Sequence, residues 1–200
     1  LLRDNIRALD IITPKAFENA IRADMAIGCS SNTVLHLVAI SYAAGCPVSL
    51  KQIDDLGKTT PQICKLNPAG QTFITDMNEV GGIQSMLKEL DTAGLIDRDC
   101  LTVSGTVGDR VDAARPADGT IIRKLDNAHR ADGGIAILYG NLAQDGAVVK
   151  QGAVAPEMMV HTGPARVFNS EEDAVSAILD GNIRPGDVVV IRYEGPKGGP

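Results

Sequence analysis

The chain has 200 residues and a net charge of −6, and its 44% hydrophobic and 22% charged residues are typical of a folded globular protein. The negative charge, three Phe, three Tyr and no Trp argue against nucleic acid as a partner, because no basic or base-stacking surface is available. No apolar run is long enough to cross a bilayer, so no membrane partner is expected and the sequence predicts a soluble, cytoplasmic protein.

Helical signals dominate the first hundred residues. Thr13 and Pro14 form a typical helix start, and apolar residues then repeat at helical spacing until Gly28. Ser31 or Asn32 can cap a second helix, which is apolar nearly all round, so we expect it to be buried. Two further helices are predicted, at residues 50–56 after the cap Ser49 and at residues 82–90 before Gly94.

The pattern changes after about residue 100, where short runs rich in β-branched residues predict strands. These runs lie at residues 101–103, 135–138, 147–149, 166–168 and 187–193. Asp145-Gly146 is a tight-turn signal between two of them, and one helix interrupts them, starting at Ser170 and ending at Gly181. The sequence therefore predicts an α+β chain of two units, with strands typical of a barrel or sandwich and a boundary near residue 100.

The four cysteines form no CxxC pair, so neither a zinc ribbon nor a compact disulfide scaffold is indicated. Free thiols in a reducing compartment are the expectation for Cys29, Cys46, Cys64 and Cys100. The chain starts without Met and stops in a Gly/Pro loop after a strand, and we interpret both ends as cut from a longer protein.

One segment in the helical half combines unusual residues. Residues 28–32 place small side chains at the start of a helix, where free N–H groups can hold a carboxylate or phosphate. An ordinary interhelical turn is the alternative. His36 lies one helical turn further along the chain. It is either a residue that binds a ligand or a hydrogen-bonded histidine of the core.

Three more segments lie in the strand-rich half. Residues 133–150 contain a Gly-Gly pair, a strand, an Asn/Gly loop and a strand ending at Lys150. The glycines either let the backbone approach a ligand closely or form tight corners. Residues 161–166 form a loop before a strand, and residues 192–200 put two cations and a carboxylate beside a Gly/Pro loop. No nucleotide-binding fingerprint or catalytic triad signature is present.

These segments, in this order, resemble the family of dihydroxy-acid and sugar-acid dehydratases. Residues 28–37 (GCSSNTVLHL) are similar to the family's GGSTNxxLHL, and residues 133–150 to its GGxAxLxGNLAPxGAVVK. Residues 163–168 and 186–200 resemble GPARVF and GDVVVIRYEGPKGGP. The departures are Cys29 for Gly, Ser31 for Thr and Gln144 for Pro. The long matches favour the branched-chain amino-acid enzyme, with the sugar-acid (aldonate or phosphogluconate) branches as the alternative.

The resemblance implies a homodimeric lyase that converts a small 2,3-dihydroxy-3-methyl acid into a 2-keto acid in valine and isoleucine biosynthesis. In such enzymes an iron–sulfur cluster acts on the leaving 3-hydroxyl, magnesium holds the carboxylate end and a serine alkoxide takes the C2 proton. The implied fold is an α/β cluster-bearing domain, to which residues 1–100 would belong, and a β-barrel-like C-terminal domain of the swivelling type, to which residues 101–200 would belong.

The cluster cysteines and the Asp and Lys ligands of magnesium belong to motifs upstream of Leu1, and the magnesium-binding Glu and the basic Ser belong beyond Pro200. The resemblance therefore assigns no catalytic residue and no metal ligand to this chain, and implies that the fragment alone binds no cofactor and is inactive. It places Asn32, His36, Glu194 and Lys197 near the substrate cavity. A degenerate, non-catalytic binding domain is the alternative from another class.

Overall fold

A computed structural model describes residues 1–195 of the chain. The chain forms two compact units, Leu1–Val154 and Ala155–Pro200, and each is described by itself. The predicted domain boundary near residue 100 concerns the family's own division of the chain and stays a prediction.

The described residues contain both helices and short strands, which confirms the α+β class. The helices are α1 (Ala8–Ile11), α2 (Pro14–Ile27), α3 (Asn32–Ala43), α4 (Leu50–Lys58), α5 (Ile74–Glu79), α6 (Gly82–Asp91), α7 (Val107–Ala113) and α8 (Glu171–Leu179). The strands are β1 (Ala136–Gly140), β2 (Ala143–Val149), β3 (Ala165–Phe168) and β4 (Val188–Ile191). None of the helices among residues 1–195 has both the length and the apolar character needed to span a bilayer.

Helix α2 lies at the centre of the first unit and begins and ends as predicted. The Thr13 hydroxyl accepts a hydrogen bond from the Ala16 N–H, and Pro14 occupies the first helical position. Gly28 ends the helix in the left-handed conformation at φ +70°, which a glycine adopts without steric cost.

Two apolar cores flank α2 and fix the elements around it. Ala26 and Ile27 belong to the first core, which also contains side chains of α5 and α6. Ile21 and Met25 belong to the second core, which also contains Ile53 of α4 and side chains of β1. Because α2 contributes to both cores, its C-terminal end is held from two sides.

The prediction that the second helix, α3, is buried is wrong. Val34 and Ser41 are buried, but Leu35 is 54% exposed and Tyr42 is 80% exposed. The physical reason is that α2 and α4 cover only one side of α3 in the described structure, whereas an apolar composition does not tell how many sides are covered.

Strands β1 and β2 form an antiparallel hairpin, but its turn is not at Asp145-Gly146 as predicted. The turn lies at residues 141–142, and the register between Leu138 and Gly140 shifts, so that extra residues of β2 form a bulge. Gly146 lies there at φ +108°, since a bulge uses the same left-handed freedom as a turn.

The strand predicted at residues 101–103 is also absent from the described structure. Leu101 makes only an isolated bridge with Thr106, because Gly105 at φ +73° turns the chain back and α7 follows. The short helices α5 and α7 had no counterpart in the sequence analysis.

In the second unit β3, α8 and β4 form a β-α-β arrangement with parallel strands. The Ser170 hydroxyl caps α8 by accepting a hydrogen bond from the Asp173 N–H at 3.1 Å, as the sequence predicts. Gly181 follows the helix at φ +71°.

Candidate functional site

The first two sequence segments with unusual composition meet at the C-terminal end of α2. The Gly134 N–H donates to the Met25 carbonyl at 2.9 Å, and the Gly152 N–H donates to the Gly134 carbonyl at 3.0 Å. The Gly133 N–H donates to the Gly57 carbonyl at 2.9 Å. These backbone bonds join the end of α2, the start of β1 and the turn after β2 into one site within the first unit.

The turn between α2 and α3 is built by backbone bonds and a serine different from the predicted one. The N–H groups of Gly28 and Cys29 both donate to the Asp24 carbonyl. The Ser30 hydroxyl accepts from the Asn32 N–H at 3.3 Å, whereas Ser31 makes no side-chain cap. The prediction of Ser31 or Asn32 as the capping side chain is therefore wrong, because the last residue before the helix already has helical φ and ψ and its hydroxyl does not reach back.

Asp24 is a buried carboxylate that the sequence analysis missed. Its side chain is 4% exposed, and its Oδ1 has no hydrogen-bond partner among residues 1–195. Burial raises the pKa of this carboxyl to about 6, although the Cys29 thiol, the Thr33 hydroxyl and the Lys150 ammonium favour its ionised form. A carboxyl of this kind can exchange a proton near neutral pH.

Cys29 lies at the same turn. Burial, and next the charge of Asp24, raise the pKa of its thiol to about 12. The thiol is therefore protonated at neutral pH and can donate a hydrogen bond, but it is a poor nucleophile and a poor metal ligand.

A hydrogen-bonded network of three polar side chains holds the turn after β2. Arg130 Nε donates to Asp132 Oδ1 at 2.9 Å, and Gln151 Nε2 donates to the Gly133 carbonyl at 2.7 Å and to Asp132 Oδ2 at 3.2 Å. Because Gln151 follows Lys150 directly, these bonds also fix where the Lys150 backbone leaves the strand.

The four residues predicted near the substrate cavity fall in different parts of the chain. Asn32 and His36 are exposed and lie one turn apart on α3, within the first unit. Glu194 belongs to the second unit, where its Oε1 accepts a hydrogen bond from the Glu171 N–H at the start of α8 at 2.9 Å. Lys197 lies outside the described residues. The role of all four near a substrate stays a prediction.

Comparison with known proteins identifies the family. A family model described as Dihydroxy-acid/6-phosphogluconate dehydratase N-terminal matches residues 1–110, and its C-terminal counterpart matches residues 120–200. The chain belongs to the dihydroxy-acid/6-phosphogluconate dehydratase family. This confirms the resemblance inferred from the sequence motifs.

Curated relatives of this chain are named dihydroxy-acid dehydratase. It is 58% identical to the protein of Desulfosudis oleivorans over 202 residues, 55% to that of Moorella thermoacetica over 201, and 54% to that of Syntrophobacter fumaroxidans over 201. Each match covers 100% of this chain and 36% of the relative. The chain thus spans about a third of the length of these relatives.

The described part of the chain does not fit the metal groups that the resemblance implies. Residues 1–195 contain no group of three or more His, Cys, Asp or Glu side chains that could hold a metal ion. All four cysteines are free, and burial also raises the pKa of the Cys64 thiol to about 12, which opposes the thiolate that an iron–sulfur cluster requires. No reaction step is therefore assigned to a metal held by these residues.

Proposed function

We propose that this chain is part of a dihydroxy-acid dehydratase, a hydro-lyase that removes water from a 2,3-dihydroxy-3-methyl acid to give a 2-keto acid in branched-chain amino-acid biosynthesis. The observation that carries the proposal is the 58% identity to a dihydroxy-acid dehydratase across 100% of the chain. The relatives' shared name favours this substrate class over the sugar acids that the family also includes.

The contribution of the chain would be the scaffold of the substrate cavity. Asn32 and His36 lie on the exposed side of α3, directly after the turn that the buried site holds, which supports a role in contacting substrate. Glu194 and Lys197, near the end of the sequence, are also proposed to contribute to substrate binding. An iron–sulfur cluster and magnesium would have to be held by residues outside this chain.

Four further properties complete the proposal. A domain boundary near residue 100 is supported by the two family models, and the hairpin β1–β2 and the pair β3–β4 are consistent with a β-barrel-like C-terminal domain. A cytoplasmic location is supported by the four free cysteines, which suit a reducing compartment. The family resemblance supports a homodimer.

A chimera tests the proposed function. In it the 200 residues of this chain replace the matching segment of the Desulfosudis oleivorans dehydratase, so that the remaining segments supply the cofactor ligands. We expect it to form a 2-keto acid from 2,3-dihydroxy-3-methylbutanoate faster than from gluconate or 6-phosphogluconate, with the parent enzyme as the reference.

Two outcomes contradict the proposal. A chimera that carries the parent's content of iron and sulfide but converts none of the three acids would favour a degenerate, non-catalytic domain. Faster conversion of a sugar acid would move the chain to the sugar-acid branch. The chain alone is expected to be inactive, and stoichiometric iron and sulfide in its purified form would contradict that expectation.

A further inference from the structure

Gln62 lies at the centre of the candidate site and is held by its backbone and its side chain. It is 1% exposed, its N–H donates to the Arg130 and Asp132 carbonyls at 3.1 Å, and its carbonyl accepts from the His129 N–H at 2.8 Å. Its side-chain Nε2 donates to the Cys64 carbonyl at 3.0 Å. With these bonds made, the amide has little freedom to move.

Three glycines from three different segments surround this amide. A methyl group added to Gly28 would lie 2.4 Å from Nε2 of Gln62, and one added to Gly134 would lie 3.0 Å from it. A methyl group added to Gly152 would lie 2.6 Å from Oε1. The end of α2, the start of β1 and the turn after β2 therefore come this close because none of them has a Cβ on the side facing Gln62.

One of the segments gathered by Gln62, the turn after α2, leads directly to groups proposed to face the substrate, and another follows Lys150. Gly28 begins the turn before Asn32 and His36, and Gly152 follows Lys150 by two residues. The Lys150 charge acts on Asp24 at the end of α2, so these two segments also interact electrostatically. The size and hydrogen bonding of one amide thus determine the spacing between the α3 start and Lys150.

We infer that Gln62 is a positioning residue for the proposed dehydration, acting by fixing the spacing between the α2–α3 turn and the Lys150–Gly152 turn. The inference rests on the proposed function for its catalytic consequence. Gln62 acts through the backbone segments that it holds, and neither contacts the substrate nor transfers a proton.

The test uses Gln62→Met, which keeps the volume but loses the amide, and Ile63→Val as a matched control. Ile63 is the next residue and fully buried in the first core, so its truncation lowers stability without touching the three glycines. In the chimera, a misplacement of reacting groups is expected to lower kcat of Gln62→Met by roughly 10- to 100-fold at saturating substrate. Ile63→Val is expected to keep the kcat of the unmodified chimera.

A second readout does not depend on activity. In the 200-residue chain, titration of the Asp24 carboxyl by carbon-13 NMR is expected to shift upward in Gln62→Met, because the Lys150 ammonium moves away, and to stay unchanged in Ile63→Val. An active chimera whose Gln62→Met variant keeps both the kcat and the Asp24 titration would overturn the inference. An unmodified chimera without activity would instead count against the proposed function, and the Asp24 titration then decides the positioning role of Gln62 by itself.

Discussion

Replacing Asp24 with Asn removes a buried carboxyl that costs stability at neutral pH. Burial raises the pKa of this carboxyl from its ordinary value of 3.8 to about 6. That difference corresponds to about 3 kcal/mol of unfolding free energy, because each pH unit between the folded and unfolded pKa values contributes about 1.4 kcal/mol. Asn keeps the shape of the side chain but has no proton to lose.

The sign follows from which state ionises first. Below pH 3.8 the carboxyl is protonated in both states. As the pH rises the unfolded chain loses the proton first, so the penalty on the folded chain grows with pH and reaches its full size above about pH 6. Between pH 4.5 and pH 7.5 about 2 kcal/mol of the penalty develops. Asp24→Asn should therefore gain about 2 kcal/mol over the unmodified chain across this interval.

Urea denaturation followed by circular dichroism at several pH values measures this difference in unfolding free energy. Asp126→Asn replaces an exposed aspartate and is the control, because it shows how much an Asp-to-Asn exchange changes the unfolding free energy without burial. A stability difference that stays constant with pH would refute a carboxyl held neutral by burial. A difference that shrinks as the pH rises would show that attraction between Asp24 and the Lys150 ammonium outweighs burial.

Three further predictions concern the packing, a thiol and a cap of the first unit. Gly134→Ala places a methyl group 2.4 Å from the Gly28 Cα and should lower the unfolding free energy by about 1–3 kcal/mol. Gly140→Ala is the control, because its methyl group meets nothing within 4 Å and should not lower the unfolding free energy. Urea denaturation of both variants measures the difference. Burial raises the pKa of the Cys64 thiol to about 12, so this thiol should resist iodoacetamide at pH 8 in the folded chain and react in urea. Peptide mass spectrometry measures the alkylation. Rapid alkylation of Cys64 in the folded chain would contradict its burial. Ser49→Ala removes the cap of α4 and should cost about 1 kcal/mol in thermal unfolding, and an unchanged melting temperature would contradict the capping role.

Helices whose ends carry strong local signals could be predicted from the sequence. Thr13 and Pro14 at the start of α2 and Gly28 at its end determine the bounds through their own backbone preferences, independent of the rest of the fold. Helix α5 has a weaker signal, because the apolar side chain of Phe73 cannot cap it and only the Asp76 carboxylate accepts a hydrogen bond from the Phe73 N–H, at 2.8 Å. Gly146 shows a different limit, since Asp145-Gly146 was interpreted as a tight turn but the positive φ of Gly146 lies in a bulge, which uses that conformation equally well.

The candidate site could be predicted only where its residues are unusual by themselves. The glycines at residues 133–134 indicated either close approach to a ligand or a tight corner, but the structure instead sets Gly134 against the Gly28 backbone, a contact that was not predicted. Asp24 and Gln62 were missed, since a lone Asp in a helix and a lone Gln after a Pro are ordinary in sequence. Their importance arises from burial by segments more than 60 residues apart in the chain, which periodicity does not report.

The same contacts explain why this chain can carry the scaffold of a site without its chemistry. Gln62, the three glycines around it and the bonds from α2 are all satisfied within the first unit, so the start of α3 is fixed without a metal or a substrate. Asp24, by contrast, keeps one buried oxygen without a partner among residues 1–195, at a cost of about 3 kcal/mol at neutral pH. The backbone of this site is ordered, but the Asp24 carboxyl in it lowers the stability of the folded chain. Local destabilisation of this kind is typical of functional positions.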